Sequence, residues 1–229
     1  MPFSETSSEA SKTPETSKLD VDADKLIGSE ARESKTEAGD VKDREPVDPD
    51  KLIEPAQHEV EPLSTFEERL NNVPKETNPN GTWEGERGES RFILIRDDLK
   101  ASLAKFGIDG ICYKDAKPGF SPIADTTVQI EGFSDVRYGS KSDGYTEGNF
   151  DKADAKCADK WNQAARDGRT DWTPGKVEEW RKVNEYSWHE CNDMKTMQLV
   201  PSDIHHACNH FGGVGEYKKL NNDGGGFDD

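Results

Sequence analysis

The chain has 229 residues, of which 31% are hydrophobic and 34% charged, and its formal net charge is −17. So polar a composition excludes one core running end to end, and the negative sign excludes a generic nucleic-acid binder coated with Lys and Arg. No apolar run approaches the ~20 residues of a membrane span, and MPFSETSSEASK at the front lacks the basic and apolar segments of a signal peptide; the expectation is a protein cytoplasmic in its producer, with any export by a specialised route.

The polar excess sits at the front. Residues 1–75 hold 10 Lys and Arg against 19 Asp and Glu, and the remainder holds 20 against 28. Residues 1–60 cannot bury enough apolar surface to offset chain entropy and read as a disordered acidic region. Within it Asp24-Lys25-Leu26-Ile27 recurs as Asp50-Lys51-Leu52-Ile53, a repeat that suits a docking motif or a chance recurrence equally. Residues 61–79 read as a short helix and linker: Ser64-Thr65-Phe66-Glu67 forms a capping box, Phe66 and Leu70 an apolar pair, and the helix ends near Val73-Pro74.

Residues 80–220 read as one domain. Trp83–Glu86 and Arg91–Ile95 suggest strands, Asp97–Lys105 a helix with Leu99, Leu103 and Phe106 on one face, and the stretch ending at Tyr113 a turn and strand. Thr127–Glu131 alternates as a strand with Val128 and Ile130 on one face. Phe150, Ala153, Cys157, Trp161 and Ala164 recur at helical spacing, and Thr173-Pro174 starts a further helix with Val177, Trp180 and Val183 inward. The tail, residues 221–229, is glycine-rich and expected to be flexible.

Four of the five histidines, His189, His205, His206 and His210, fall between Tyr186 and Gly213. Ser187–Cys191 and Thr196–Val200 read as two strands around an Asn192-Asp193 turn. Pro201-Ser202 opens a helix with Ser202 as N-cap, and Gly212-Gly213 stops it. A hairpin followed by a helix can converge three imidazoles on one ion. His205 and His210 are five residues apart, about 140° around an ideal helix, so both can contribute only if the helix ends between them.

On Trp188-His189-Glu190, Met197-Gln198-Leu199-Val200-Pro201, His205, His210 and Gly212-Gly213, the chain resembles the HNH/endonuclease VII superfamily of metal-dependent nucleases. More narrowly it is similar to the Trp-His-His/Trp-His-Glu branch, a ββα-metal motif of the colicin-DNase kind found in the nuclease tips of bacterial polymorphic toxins. Weaker matches at Gly81–Ser90, Thr170–Thr173 and Trp180-Arg181 extend the resemblance over roughly residues 80–217. It implies an α+β domain that hydrolyses phosphodiester bonds of DNA, or RNA, as a toxin or effector restrained by a cognate immunity protein.

The resemblance implies His189, His205 and His210 as ligands of one divalent ion, with His206 an exposed neighbour, although His206 and His210 have the better i,i+4 spacing and His206 stays an alternative ligand. Three imidazoles suit zinc best, with nickel, manganese and magnesium as alternatives. Glu190 occupies the slot where the superfamily usually carries a histidine general base; either Glu190 or His189 then takes the proton. No asparagine matches the middle letter of the signature; its slot falls near Thr196, and Gln198 on the same strand face is the candidate to orient a ligand or the substrate phosphate. A basic strip of Lys152, Lys156, Lys160, Arg166, Arg169, Lys176, Arg181, Lys182 and Lys195 is available to steer nucleic acid. The alternative is a closed structural zinc site in a binding or adaptor domain, with Cys191, Cys208 and two histidines as ligands. Cys112, Cys157, Cys191 and Cys208 show no CxxC pairing and at this density do not suggest a disulfide framework; buried reduced thiols are the competing reading for Cys191 and Cys208.

Overall fold

The computed structural model describes residues 60–140 and 146–223. The expected disordered region, save Val60, and both DKLI repeats lie outside the described residues. What is described is an α+β domain of helices and two antiparallel sheets.

The first helix, α1 (Phe66–Leu70), starts one residue later than the capping pattern suggests. Thr65 is its N-cap, and Thr65 and Glu68 satisfy each other's backbone N–H groups. Ser64 is thereby released for another task. Its backbone N–H and hydroxyl both donate to Glu216 near the other end of the chain, at 2.9 Å for the N–H. Val73 joins the core and Leu70 packs against it.

β1 (Gly81–Trp83), β2 (Arg91–Leu94), β3 (Gly110–Lys114) and β4 (Lys117–Pro118) form an antiparallel sheet in that order. α2 (Asp97–Ala104) bridges β2 and β3 and buries Leu99 and Leu103, as its periodicity requires. β5 (Thr126–Gln129), β7 (Thr196–Pro201) and β6 (Tyr186–Glu190) form the second sheet, with β7 central. All six residues of β7 are buried. The alternation of side chains along a strand splits them: Met197 and Leu199 enter one core cluster, Val200 the other. One strand therefore ties the two cores together.

α3 (Asn149–Gln163) and α4 (Pro174–Val183) cover β5 and β6. α3 buries Phe150, Ala153, Cys157 and Trp161, whereas Ala164, expected on the same stripe, is its exposed C-cap. In α4, Thr173 caps as expected and Val177 is buried, but Val183 is 75% exposed because the helix ends there. Arg181 takes the inward place instead. It is 3% exposed and forms a bidentate pair with Asp154, which also accepts the Trp188 indole N–H at 2.8 Å. A residue read from sequence as part of a basic strip is thus an internal strut. Burial outweighs both donors and holds the Asp154 carboxyl above its ordinary range.

Most of the other strip residues make pairs or hydrogen bonds nearer the surface, which bind them far less firmly than Arg181. Arg166 pairs with Asp125 and lies over the Trp161 and Trp180 rings, Arg169 and Lys176 share Asp171, Lys182 pairs with Glu178, and Lys195 reaches Glu131. Lys152 and Lys160 donate to the carbonyls of Gly132 and Thr127.

α5 (Ser202–Ala207) follows β7 directly. Pro201 stands at its N-cap position and no side chain caps it, so Ser202 is the first helical residue rather than the cap. The glycine pair does not end this helix; Gly213 opens another, α6 (Gly213–Asp223), that the sequence reading did not anticipate and that carries residues 221–223 of the expected tail. A Cβ at Gly213 would lie 2.4 Å from the Cys191 carbonyl. Only glycine lets α6 start this close to the hairpin.

Candidate metal centre

β6 and β7 pair with His189 opposite Gln198 and Glu190 opposite Met197. The pleat turns His189 toward α5 and the first core cluster, and turns Glu190 toward the start of α3. α5 ends at Cys208, between the two remaining histidines, which removes the 140° problem. His205 sits in its last turn and His210 in the following loop. Tyr113 donates to the Asn209 carbonyl at 3.1 Å, and Asn192 donates to the Phe211 carbonyl at 2.9 Å, so the loop is held on both sides of His210.

The result is a compact cluster. Ligand atoms of His189, His205 and His210 all lie within 4.8 Å of one another. Their ring centroids are 4.6 Å apart for His189–His210, 5.2 Å for His205–His210 and 5.4 Å for His189–His205. The Phe120 ring stands edge-on to His189, 4.9 Å away, and also contacts the other two rings. His206 is exposed and outside this group.

Two buried nitrogens, His189 Nδ1 and His205 Nε2, have no hydrogen-bond partner among the described residues. Orphaned buried polar atoms are costly, and a cation between the rings would satisfy them. His210 Nδ1 lies 3.0 Å from the Cys208 carbonyl; donation there fixes the tautomer and leaves Nε2 as the lone-pair nitrogen. Burial, then the charge of neighbouring histidines, holds His189 and His205 well below the ordinary imidazole value. Burial also lowers His210, against the opposing effect of the Cys208 carbonyl. All three rings therefore favour the neutral form that ligates metal. The residues present fit a divalent ion.

The cysteines do not join them. Neither Cys191 nor Cys208 belongs to the cluster among the described residues. Burial pushes the Cys208 thiol up to about 12 and raises Cys191 as well. Three nitrogen donors with no fourth ligand among the described residues would leave a coordination position open, unlike a closed structural site.

Glu190 is buried, and both its oxygens are engaged: Arg137 Nε–H donates at 2.9 Å and Asn149 Nδ2–H at 2.8 Å. Neither partner was visible from sequence. Arg137 lies in the loop before α3, and its carbonyl accepts the Phe150 N–H at 2.9 Å, which docks the loop onto the helix start. Gln198 is buried, its amide donates to Ser121 Oγ at 3.0 Å, and it is not among the residues that line the groove described next. It lies directly opposite His189 in the β6–β7 pairing. Thr196, at the missing asparagine's slot, is held by Asp193, which accepts from its N–H and hydroxyl and so fixes the hairpin turn.

Glu190, His205, His206 and His210 line a groove of about 1180 Å³, which residues 71–75 and 77–79 also line. Residues 110–212 match the family model for the DNase/tRNase domain of colicin-like bacteriocin. That match supports a nuclease and toxin function, and the matched span contains every residue of the cluster. No curated protein and no solved structure matches the chain. Among the described residues no helix is long and apolar enough to cross a membrane.

Proposed function

We propose that the chain is a metal-dependent endonuclease of the HNH type, hydrolysing phosphodiester bonds of DNA or RNA as a toxin or effector. The observation that carries this reading is the neutral three-histidine cluster, with its orphaned nitrogens, on the wall of a groove within the span that matches nuclease toxins. The groove exceeds the usual range for small-molecule pockets, as a polymeric substrate requires.

His189, His205 and His210 would hold one divalent ion, zinc suiting three imidazoles best. When bound, the ion supplies positive charge that polarises the phosphodiester and stabilises the departing oxygen. His189 is buried behind the groove and acts as a ligand. Glu190 lines the groove and is the proton acceptor: Arg137 and Asn149 fix its rotamer, while each carboxylate oxygen keeps a lone pair for the attacking water. A nuclease of this kind needs a cognate immunity protein in the producing cell.

The test is cleavage of supercoiled DNA and of RNA by the purified chain, with chelator and metal add-back. Chelation should abolish cleavage, zinc or another late transition ion should restore it, and His205→Ala should lose both bound metal and activity. Cleavage that survives chelation and His205→Ala would overturn the reading.

A further inference from the structure

We infer that Arg137 and Tyr138 form a nucleotide subsite that selects unpaired, single-stranded nucleic acid, the Arg137 guanidinium taking a phosphate and the Tyr138 ring stacking on a base. This rests on the nuclease reading and names its substrate class.

Both residues line the groove that the histidines open onto. The Arg137 side chain is 58% exposed although its Nε–H is anchored to the buried Glu190. Its terminal nitrogens make no hydrogen bond among the described residues, so a forked donor pair faces the groove, the geometry that grips phosphate. It shares the groove wall with His205 and His210 and is tied to Glu190 on the same wall, so a phosphate held there would lie beside the histidine cluster.

Tyr138 is 55% exposed, one of the few large apolar side chains the domain leaves to solvent. Its ring is braced edge-on by Phe150 at 5.0 Å, and the buried Arg181 guanidinium lies 6.0 Å from its centroid. A braced, exposed aromatic next to a phosphate-binding cation is how single strands are held, because every unpaired base has a face to stack and a paired base does not.

The charge of the groove points the same way. Of its lining Lys and Arg residues among the described residues, Arg181 is consumed by Asp154 and Lys182 pairs with Glu178, whereas Arg137 meets Glu190 through Nε alone and keeps its terminal fork, and Lys75 faces solvent. Duplex binding normally draws on many phosphate contacts along both strands. The two cations that the described residues offer do not supply them, and stacking makes up the difference only for an unpaired strand.

The test uses the full chain in chelator, so that binding is read without cleavage. Fluorescein-labelled oligonucleotides of about 12 nucleotides, identical in sequence, are titrated as single-stranded DNA, single-stranded RNA and duplex DNA, with anisotropy as readout. Either single strand should bind at least about tenfold tighter than duplex, and the two single-stranded arms identify which sugar is preferred. Tyr138→Ala should weaken single-strand binding by about tenfold and leave duplex binding unchanged, while Tyr138→Trp retains it. The slope of log affinity against log salt for the single strand should be shallow, about −1.4 for two phosphate contacts. Equal or tighter duplex binding, or an unchanged Tyr138→Ala in a protein that melts normally, overturns the subsite. If Tyr138→Ala fails to fold, Tyr138→Leu keeps the packing on Phe150 and must show the same loss. Metal add-back separates the two readings: equal cleavage of both strand forms, indifferent to Tyr138, retains the nuclease and removes the subsite. Tyr138-dependent single-strand binding without any cleavage retains the subsite and removes the nuclease.

Discussion

Arg137 donates its Nε–H to Glu190 at 2.9 Å across 53 positions of sequence, joining an exposed cation to a buried carboxylate at the end of β6. The pair gives Glu190 a fixed orientation and gives Arg137 a fixed reach. It also makes the two residues separable by experiment, since one is assigned to proton transfer and the other to substrate.

Glu190→Gln should retain bound metal and lose cleavage by ~10²–10⁴-fold, the effect of removing a general base. The amide can still accept from Arg137, so nucleic-acid affinity in chelator should change little. Metal content by atomic emission and single-turnover cleavage at one pH check both. Loss of metal with cleavage would make Glu190 a ligand instead.

Among the neighbouring histidines, His210→Ala should sharply weaken zinc binding, because two imidazoles hold an ion far less well than three. His206→Ala should leave zinc affinity near that of the parent, as its ring is exposed and outside the cluster. Competition titration with a zinc indicator reads both. The reverse order would invalidate the ligand assignment.

The three clustered imidazoles, His189 buried and His205 and His210 partly so, give the metal-free protein a pH dependence of defined sign. Their folded values are depressed from the ordinary 6.5, most for His189 and His205. Below that value the unfolded chain binds protons that the folded chain refuses, so stability falls as pH drops through about 6.5 toward the folded values. Urea midpoints of the metal-free protein should therefore decrease between about pH 7 and about pH 5, and zinc affinity should fall in the same window because a protonated imidazole cannot ligate. A flat midpoint across that range would contradict the burial argument.

Arg181→Ala should be among the most destabilising single changes, at about 3–5 kcal/mol, because it leaves the Asp154 carboxylate buried with only the Trp188 indole as donor. The double change Arg181→Met with Asp154→Leu should recover much of that loss, since it removes the stranded charge. Chemical denaturation of both variants gives the comparison. An Arg181→Ala cost below about 1 kcal/mol, the range of an exposed pair, would mean that the pair is solvated in solution.

Glu216→Ala removes the acceptor for the Ser64 N–H and hydroxyl and for Asn192 Nδ2. Because Asn192 also holds the Phe211 carbonyl, the loss should reach the loop that carries His210. Lower thermal stability together with weaker zinc binding is expected, whereas an unchanged zinc affinity would show that Tyr113 alone holds that loop.

The features that repeat locally were legible in the sequence. Periodicity places the buried stripes of α2 and α3, the Thr173-Pro174 start of α4 is a local backbone signal, and histidines flanking a hairpin and helix mark the cluster because metal ligation needs those side chains whatever surrounds them. Packing between distant segments left no such mark. Nothing in the spacing says that Arg137 and Asn149 meet Glu190, that Arg181 turns inward while Val183 turns out, or that Glu216 captures Ser64. Each of these is a polar contact between residues far apart in the chain, where the gain comes from satisfying a buried group and the choice of partner depends on which helix lies over which strand. The end of α5 at Cys208 belongs to the same class. Carbonyls held by Tyr113 and Asn192 shape the chain beyond it, and that turn, which no local pattern encodes, is what brings His210 to His189 and His205.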